Sequence, residues 1–126
     1  MASKELPALE YTPIESLKTT HDVLNKTFLS HKTRPLSFRL TQLRKLWWAI
    51  KDAEDQLTEA CSRDLGKPHF ETYLAEVGWV LNDIIFVCNN LEKWAKDESA
   101  EDIPLQYAPM KPKIRKDPLG VVLVLG

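Results

Sequence analysis

Apolar residues recur at steps of three and four along most of this chain, and the interruptions divide it into three predicted helices. The first carries Ile14, Leu17, Leu24 and Phe28 on one stripe, with His21 on the same face. Thr12-Pro13-Ile14-Glu15 reads as its start, with Thr12 as N-cap, Pro13 at the first helical position and Glu15 closing a capping box. Pro35 drives Arg34 out of the helical region, so the helix ends near Ser30. The second runs from Leu36 through Leu40, Leu43, Trp47, Ile50, Leu57 and Cys61, with Glu54 the one break in the rhythm. Gly66 falls where a C′ glycine belongs and Pro68 blocks continuation. The third, from about His69 to Lys96, repeats the period with Phe70, Leu74, Val77, Leu81, Ile84, Cys88, Leu91 and Ala95. The short connection makes the second and third helices antiparallel neighbours, an αα-hairpin.

The third helix also carries Trp79, Val80, Ile85, Phe86 and Val87, so it is apolar almost all round between Val77 and Cys88. Such a helix is buried on more than one face, and one partner helix covers only one. Lys96 to Asp102 is charged and reads as a solvated loop. Pro104, Pro109 and Pro112 exclude helix and central strand from residues 103–116, leaving two short edge or extended β segments. Pro118 and Gly120 make a turn into Val121-Val122-Leu123-Val124-Leu125, closed by Gly126. This run has no polar alternation and predicts a strand buried on both faces, as in a parallel sheet. Parallel neighbours need crossover segments of a dozen or more residues. The expected class is therefore α/β, cut short: three helices, two β segments and the first strand of a Rossmann-like sheet.

Composition narrows the function classes. The chain has 126 residues, 44% hydrophobic and 28% charged, as in a soluble globular domain. A net charge of −1 argues against a dedicated nucleic-acid binder or a binder of acidic membranes. No apolar run is long enough to span a bilayer. Glu5, Glu10 and Glu15 fit poorly with a transit peptide, and the expectation is a cytoplasmic, reducing compartment.

Candidate chemistry is sparse. Cys61 and Cys88 lie on helical stripes, where cysteine is usually a small buried hydrophobe. In an antiparallel hairpin Cys88 lies opposite about Leu46. This leaves Cys61 roughly 20 Å away along the helix, too far for a disulfide. His21, His31 and His69 are isolated and lack ligand spacing. The four tryptophans follow helical periods and read as packing anchors. Lys111, Lys113, Arg115 and Lys116 form the one basic cluster, better suited to protecting an edge strand than to holding phosphate. Gly120 and Gly126 make no dinucleotide fingerprint.

Several stretches, taken in order, resemble the amino-terminal quarter of an aldehyde dehydrogenase. They are Phe28-Leu29-Ser30, Thr33-Arg34-Pro35-Leu36, Phe38 to Leu46, Asp64-Leu65-Gly66-Lys67-Pro68 with Glu71 and Glu76, Asn90-Leu91-Glu92-Lys93-Trp94 and Asp117 to Gly126. The similarity is greatest to the class 3 branch that includes the fatty aldehyde dehydrogenases, and it covers about residues 14–126. It implies NAD- or NADP-dependent oxidation of an aldehyde, possible in long-chain versions, to a carboxylic acid, with a homodimeric enzyme as the parent. The family's mechanism uses a cysteine thiolate, a hydride transfer to nicotinamide and a glutamate-activated water.

The nucleophile, the base, the oxyanion-binding Asn and the cofactor loops would all fall beyond Gly126. No catalytic residue, cofactor-binding residue or metal ligand is therefore assigned on this chain. Alone, it is expected to be inactive and to bind no cofactor. The resemblance divides it into an arm (residues 1–11), a helical part of the cofactor-binding domain (12–102), extended segments of a subunit-bridging sheet (103–117) and the opening Rossmann-like strand (118–126). The other reading is a non-catalytic helical interaction module derived from such an enzyme.

Overall fold

The computed structural model describes residues 10–124. Five α-helices dominate: α1 (Ile14–Leu29), α2 (Leu36–Asp52), α3 (Glu54–Leu65), α4 (His69–Thr72) and α5 (Gly78–Trp94). A π-turn, Tyr73–Val77, joins α4 to α5, and a 3-10 segment spans Leu105–Met110. Strands β1 (Glu98–Ser99) and β2 (Lys113–Ile114) pair antiparallel, Glu98 opposite Ile114.

The hairpin forms as its periodicity predicts. Gly66 takes the left-handed conformation at φ 66°, which only glycine adopts without penalty, and its N–H donates to the Ser62 carbonyl. Beyond it the chain reverses, so α5 lies along α2 while α4 and the π-turn lie against α3. Val77, Leu81 and Ile84 of the returning arm are the buried apolar residues, with Thr58 and Thr72 beside them.

Three helical details depart from the sequence pattern. The second predicted helix is two, divided at Ala53 beside the Glu54 break. The Thr58 hydroxyl donates to the carbonyls of Glu54 and Asp55, at 3.0 and 3.1 Å. Such back-bonding competes with the backbone ladder and bends helices. At α1, Pro13 occupies the cap position and Thr12 lies outside it, so the capping box does not form. Ser16 instead donates both its N–H and its hydroxyl to the Pro13 carbonyl.

The third departure is the π-turn. It inserts one residue into the helical period, so the stripe read through Phe70 and Leu74 does not continue into Val77. Phe70 and Leu74 are consequently exposed while Val77, Leu81 and Ile84 are buried. Gly78 N–H donates to the Tyr73 carbonyl across the wide turn. A Cβ at Gly78 would stand 2.9 Å from that carbonyl oxygen.

The C-terminal third is less sheet-like than expected. The charged stretch read as a loop contributes β1, and only Lys113–Ile114 of residues 103–116 is a strand. Leu105–Met110 coils into 3-10 turns, with Tyr107 N–H bonded to the Pro104 carbonyl; Pro109 lies inside it. Turns of this kind tolerate proline where a long ladder does not. Residues 121–124 form no strand, and Leu125 and Gly126 lie outside the described residues. No neighbouring strand pairs with them, so Val122, Leu123 and Val124 stand 75, 82 and 83% exposed. The α/β class is seen here only as helices with a two-stranded ribbon. The arm is seen only at Glu10 and Tyr11, both exposed and irregular.

Surface area puts a scale on this openness. The chain exposes 11030 Å², whereas a compact protein of its mass exposes roughly 6,900 Å². Much of the difference is apolar, including Trp79, Ile85 and Phe86 on α5 and Leu17, Val23 and Leu24 on α1.

The π-turn makes a sign-reversing prediction. Gly→Ala inside a helix ordinarily stabilises by about 1 kcal/mol, but Gly78→Ala should destabilise by roughly 1–3 kcal/mol because backbone must move. Urea unfolding of the two proteins measures it.

Candidate functional site

Two concave places stand out among the described residues of the helical hairpin. The first is a groove of about 260 Å³ between α2 and α5, lined by Arg44, Trp47, Trp48, Ile84, Ile85 and Cys88. Helical spacing explains the pairing: Arg44, Trp47 and Trp48 share one side of α2, and Ile84, Ile85 and Cys88 one side of α5. Trp47 and Trp48 meet edge to face at 4.9 Å between centroids. The Trp47 Nε1 atom is buried without an acceptor among the described residues.

The second is a cleft of about 440 Å³ where the end of α1, the start of α2, the end of α5 and the C-terminal segment converge. Phe28, Leu91 and Trp94 form its apolar wall. Arg39 enters from α2 with its Nε donating to the Thr33 carbonyl at 2.8 Å. Asp117 at the rim faces Arg34 across 3.7 Å. That contact ties the C-terminal segment to the α1–α2 connection, a link between distant residues that helical periodicity does not reveal.

The residues weighed for chemistry are dispersed. Cys61 and Cys88 are free and half-buried. Cys88 faces the groove that α2 lines, in agreement with the register expected for the hairpin. His21 lies 3.7 Å from Asp22 on exposed α1, and His31 holds a positive φ of 60° in the turn after it. His69 opens α4. Among the described residues no three His, Cys, Asp or Glu side chains converge as metal ligands.

The basic cluster is partly neutralised across the ribbon. Arg115 faces Asp97 at 3.6 Å and Lys116 pairs with Glu98. These contacts link the segments that carry β1 and β2 across the ribbon. Gly66 caps a helix at φ 66° and Gly120 takes a positive φ of 146°, a conformation that favours glycine.

Two lysines are electrostatically tuned. A hydrogen bond to Glu76, at 2.5 Å, holds the Lys67 ammonium above its ordinary range. A hydrogen bond to Glu54 does the same for Lys51, which also stands 5.7 Å from the Tyr73 ring centroid. Lys67 closes the hairpin connection onto the π-turn, and Lys51 ties the α2–α3 junction to it. Both lie at the closed end of the hairpin.

No family model matches the chain, but individual relatives do. A beta-apo-4'-carotenal oxygenase of Neurospora crassa is 43% identical over 126 residues, 99% of this chain and 24% of that protein. Aldehyde dehydrogenase family 3 member F1 of Arabidopsis thaliana is 36% identical over 121 residues, 96% of this chain and 24% of that protein. The sequence belongs with the family 3 aldehyde dehydrogenases. A dimeric NADP-preferring aldehyde dehydrogenase of the dog, 42% identical over 99 residues, matches 79% of the chain and 22% of its own length. The chain thus spans about a quarter of the length of these relatives.

Lys67 yields a pH test. Its folded-state pKa is raised, so its contribution is complete below the unfolded value of 10.5 and is lost as pH rises through the folded value. Thermal melts above pH 10.5 should therefore fall more steeply for the parent chain than for Glu76→Gln, with the two curves converging in strong alkali.

Proposed function

We propose that this chain is the amino-terminal helical layer of an NAD- or NADP-dependent aldehyde dehydrogenase that oxidises a long apolar aldehyde, of the fatty or apocarotenoid kind, to its carboxylic acid. Identity of 43% running through 126 residues of a beta-apo-4'-carotenal oxygenase carries this reading. The nicotinamide cofactor would supply the hydride acceptor, and the residues described here do not themselves form its site. Their part is to cover and position the sheet that does.

The exposed apolar surface supports that division of labour. Trp79, Val80, Ile85 and Phe86 on α5, together with Val122 to Val124, offer two apolar faces where water now stands. Burying them at about 25 cal/mol per Å² is a strong driving force for docking onto a sheet. Residues 12–102 would be the helical layer, 103–117 a segment bridging subunits and 118–126 the opening strand of the cofactor-binding sheet. A homodimeric, cytoplasmic enzyme fits this assignment, as does the word dimeric in the name of the dog relative.

A chimera tests the reading. This chain replaces the 126 matched residues of the Neurospora crassa relative, and reduced nicotinamide is followed with a long-chain or apocarotenoid aldehyde. Activity within about tenfold of the relative's is expected, since a barrier change of 1.4 kcal/mol is tenfold in rate. The 126-residue chain by itself should give none. A soluble, folded chimera without activity would overturn the proposal.

A further inference from the structure

The helix that returns from Gly66 encloses a polar group with nothing to bond. Thr72 is 0% exposed, and its Oγ1 finds no partner among the described residues. A hydroxyl buried without a partner costs free energy that an exposed one does not. On either side of it Phe70 and Leu74 are exposed. The π-turn Tyr73–Val77 produces both results. It inserts one residue between α4 and α5, so the inward face of Val77, Leu81 and Ile84 continues into α4 through Thr72. At the ordinary helical period that face would continue through Leu74 and Phe70, three and seven residues before Val77. Whatever covers Phe70 and Leu74 from outside, Thr72 is enclosed by the atoms of this chain itself.

We propose that this segment has two registers: the π-turned form described above, and a closed form in which α4 and α5 run on as one α-helix. Closing the π-turn rotates α4 by about 100°, one residue of a 3.6-residue turn. Thr72 then leaves the interior, and Phe70 and Leu74 turn toward α3, against which α4 lies. The connection before α4 absorbs the rotation, because Gly66 has no neighbour within 4 Å of where its Cβ would stand. Two features hold the π-turned form. Lys67 pairs with Glu76 inside the turn. Gly78 leaves room for the Tyr73 carbonyl, which a Cβ would approach to 2.9 Å. In the closed form the Gly78 N–H donates instead to the Leu74 carbonyl, as in any α-helix. The consequence is an apolar surface that can be withdrawn. Phe70 and Leu74 are presented in one register and buried in the other, so a surface that docks on them selects the π-turned form.

The test is fluorine NMR of the full chain carrying para-fluorophenylalanine, with the Phe70 signal assigned by its loss in Phe70→Leu. A soluble gadolinium chelate broadens an exposed Phe70 and spares an enclosed one. Gly78→Ala should raise the ratio of enclosed to exposed Phe70 by about fivefold or more, since the new methyl meets backbone only in the π-turned form. Adding Thr72→Val should lower that ratio again by about fivefold, because valine keeps the shape and removes the unpaired hydroxyl. Simple loosening of the fold would move Phe70 toward exposure in Gly78→Ala and would not produce these opposite shifts.

Glu76→Gln is the second variant, for it releases the turn from Lys67 without adding volume. It should raise the same ratio about twofold, the loss of an exposed ion pair. A ratio that Gly78→Ala leaves unmoved or lowers, or that Thr72→Val fails to lower, would overturn the proposal. Where Gly78→Ala does not fold, Glu76→Gln with and without Thr72→Val decides in the same way. The readout is the exposure of Phe70 and not turnover, so the result stands or falls apart from the proposed oxidation.

Discussion

The interaction on which the rest depends is the seating of the returning arm, with Val77 in the π-turn that lies against α3 and Leu81 and Ile84 in α5 along α2. They are the buried apolar residues of the described chain, at 4, 6 and 7% exposure. The left-handed Gly66 returns the chain to place them there, and the π-turn rotates them into the gap. Gly78 lets that rotation happen, because its missing Cβ leaves room for the Tyr73 carbonyl. The bend at Ala53 complements it from the opposite side by swinging α3 toward the π-turn, with Thr58 buried at the contact. Lys67–Glu76 and Lys51–Glu54 then tie down the same corner. Exposed pairs of this kind add little on their own, so hydrophobic burial sets the hairpin.

So small a core explains the character of the surface. A helix apolar on nearly every side has one face satisfied by α2 and others left in water, including Trp79 and Phe86. Phe86 recovers part of the cost through its edge contact with Trp94, centroids 5.5 Å apart. Large exposed apolar patches on a protein commonly mark surfaces that another partner covers. This openness accompanies kinship with proteins about four times longer, of which the chain spans about a quarter. Among the described residues the cysteines and histidines are scattered and no three metal-ligating side chains converge.

Helical periodicity made the hairpin legible because burial on one face repeats every three to four residues wherever a partner helix lies alongside. The stops at Gly66, Pro35 and Pro68 were equally readable, each acting through its own φ restriction. The π-turn was not readable, since a one-residue insertion leaves each half of the stripe intact and alters only their relative phase. The 3-10 segment escaped for a related reason. Prolines exclude α-helix and central strand alike, and only local hydrogen bonds such as Tyr107 to Pro104 choose among what remains. The Arg39 cleft was hidden because its parts come from residues 28, 39, 91, 94 and 117, which no spacing rule connects.

The sequence by itself determined the helices, the reversal between them and the kinship with aldehyde dehydrogenases, because each is written in local spacing or in ordered similarity. Tertiary structure alone decided which apolar residues are buried, since phase across the π-turn and the bend at Ala53 depend on neighbours far along the chain. It decided the fate of Val121 to Val124 as well. Five apolar residues in a row specify a strand only when partners exist to take their backbone hydrogen bonds, and among the described residues 121–124 are assigned to none.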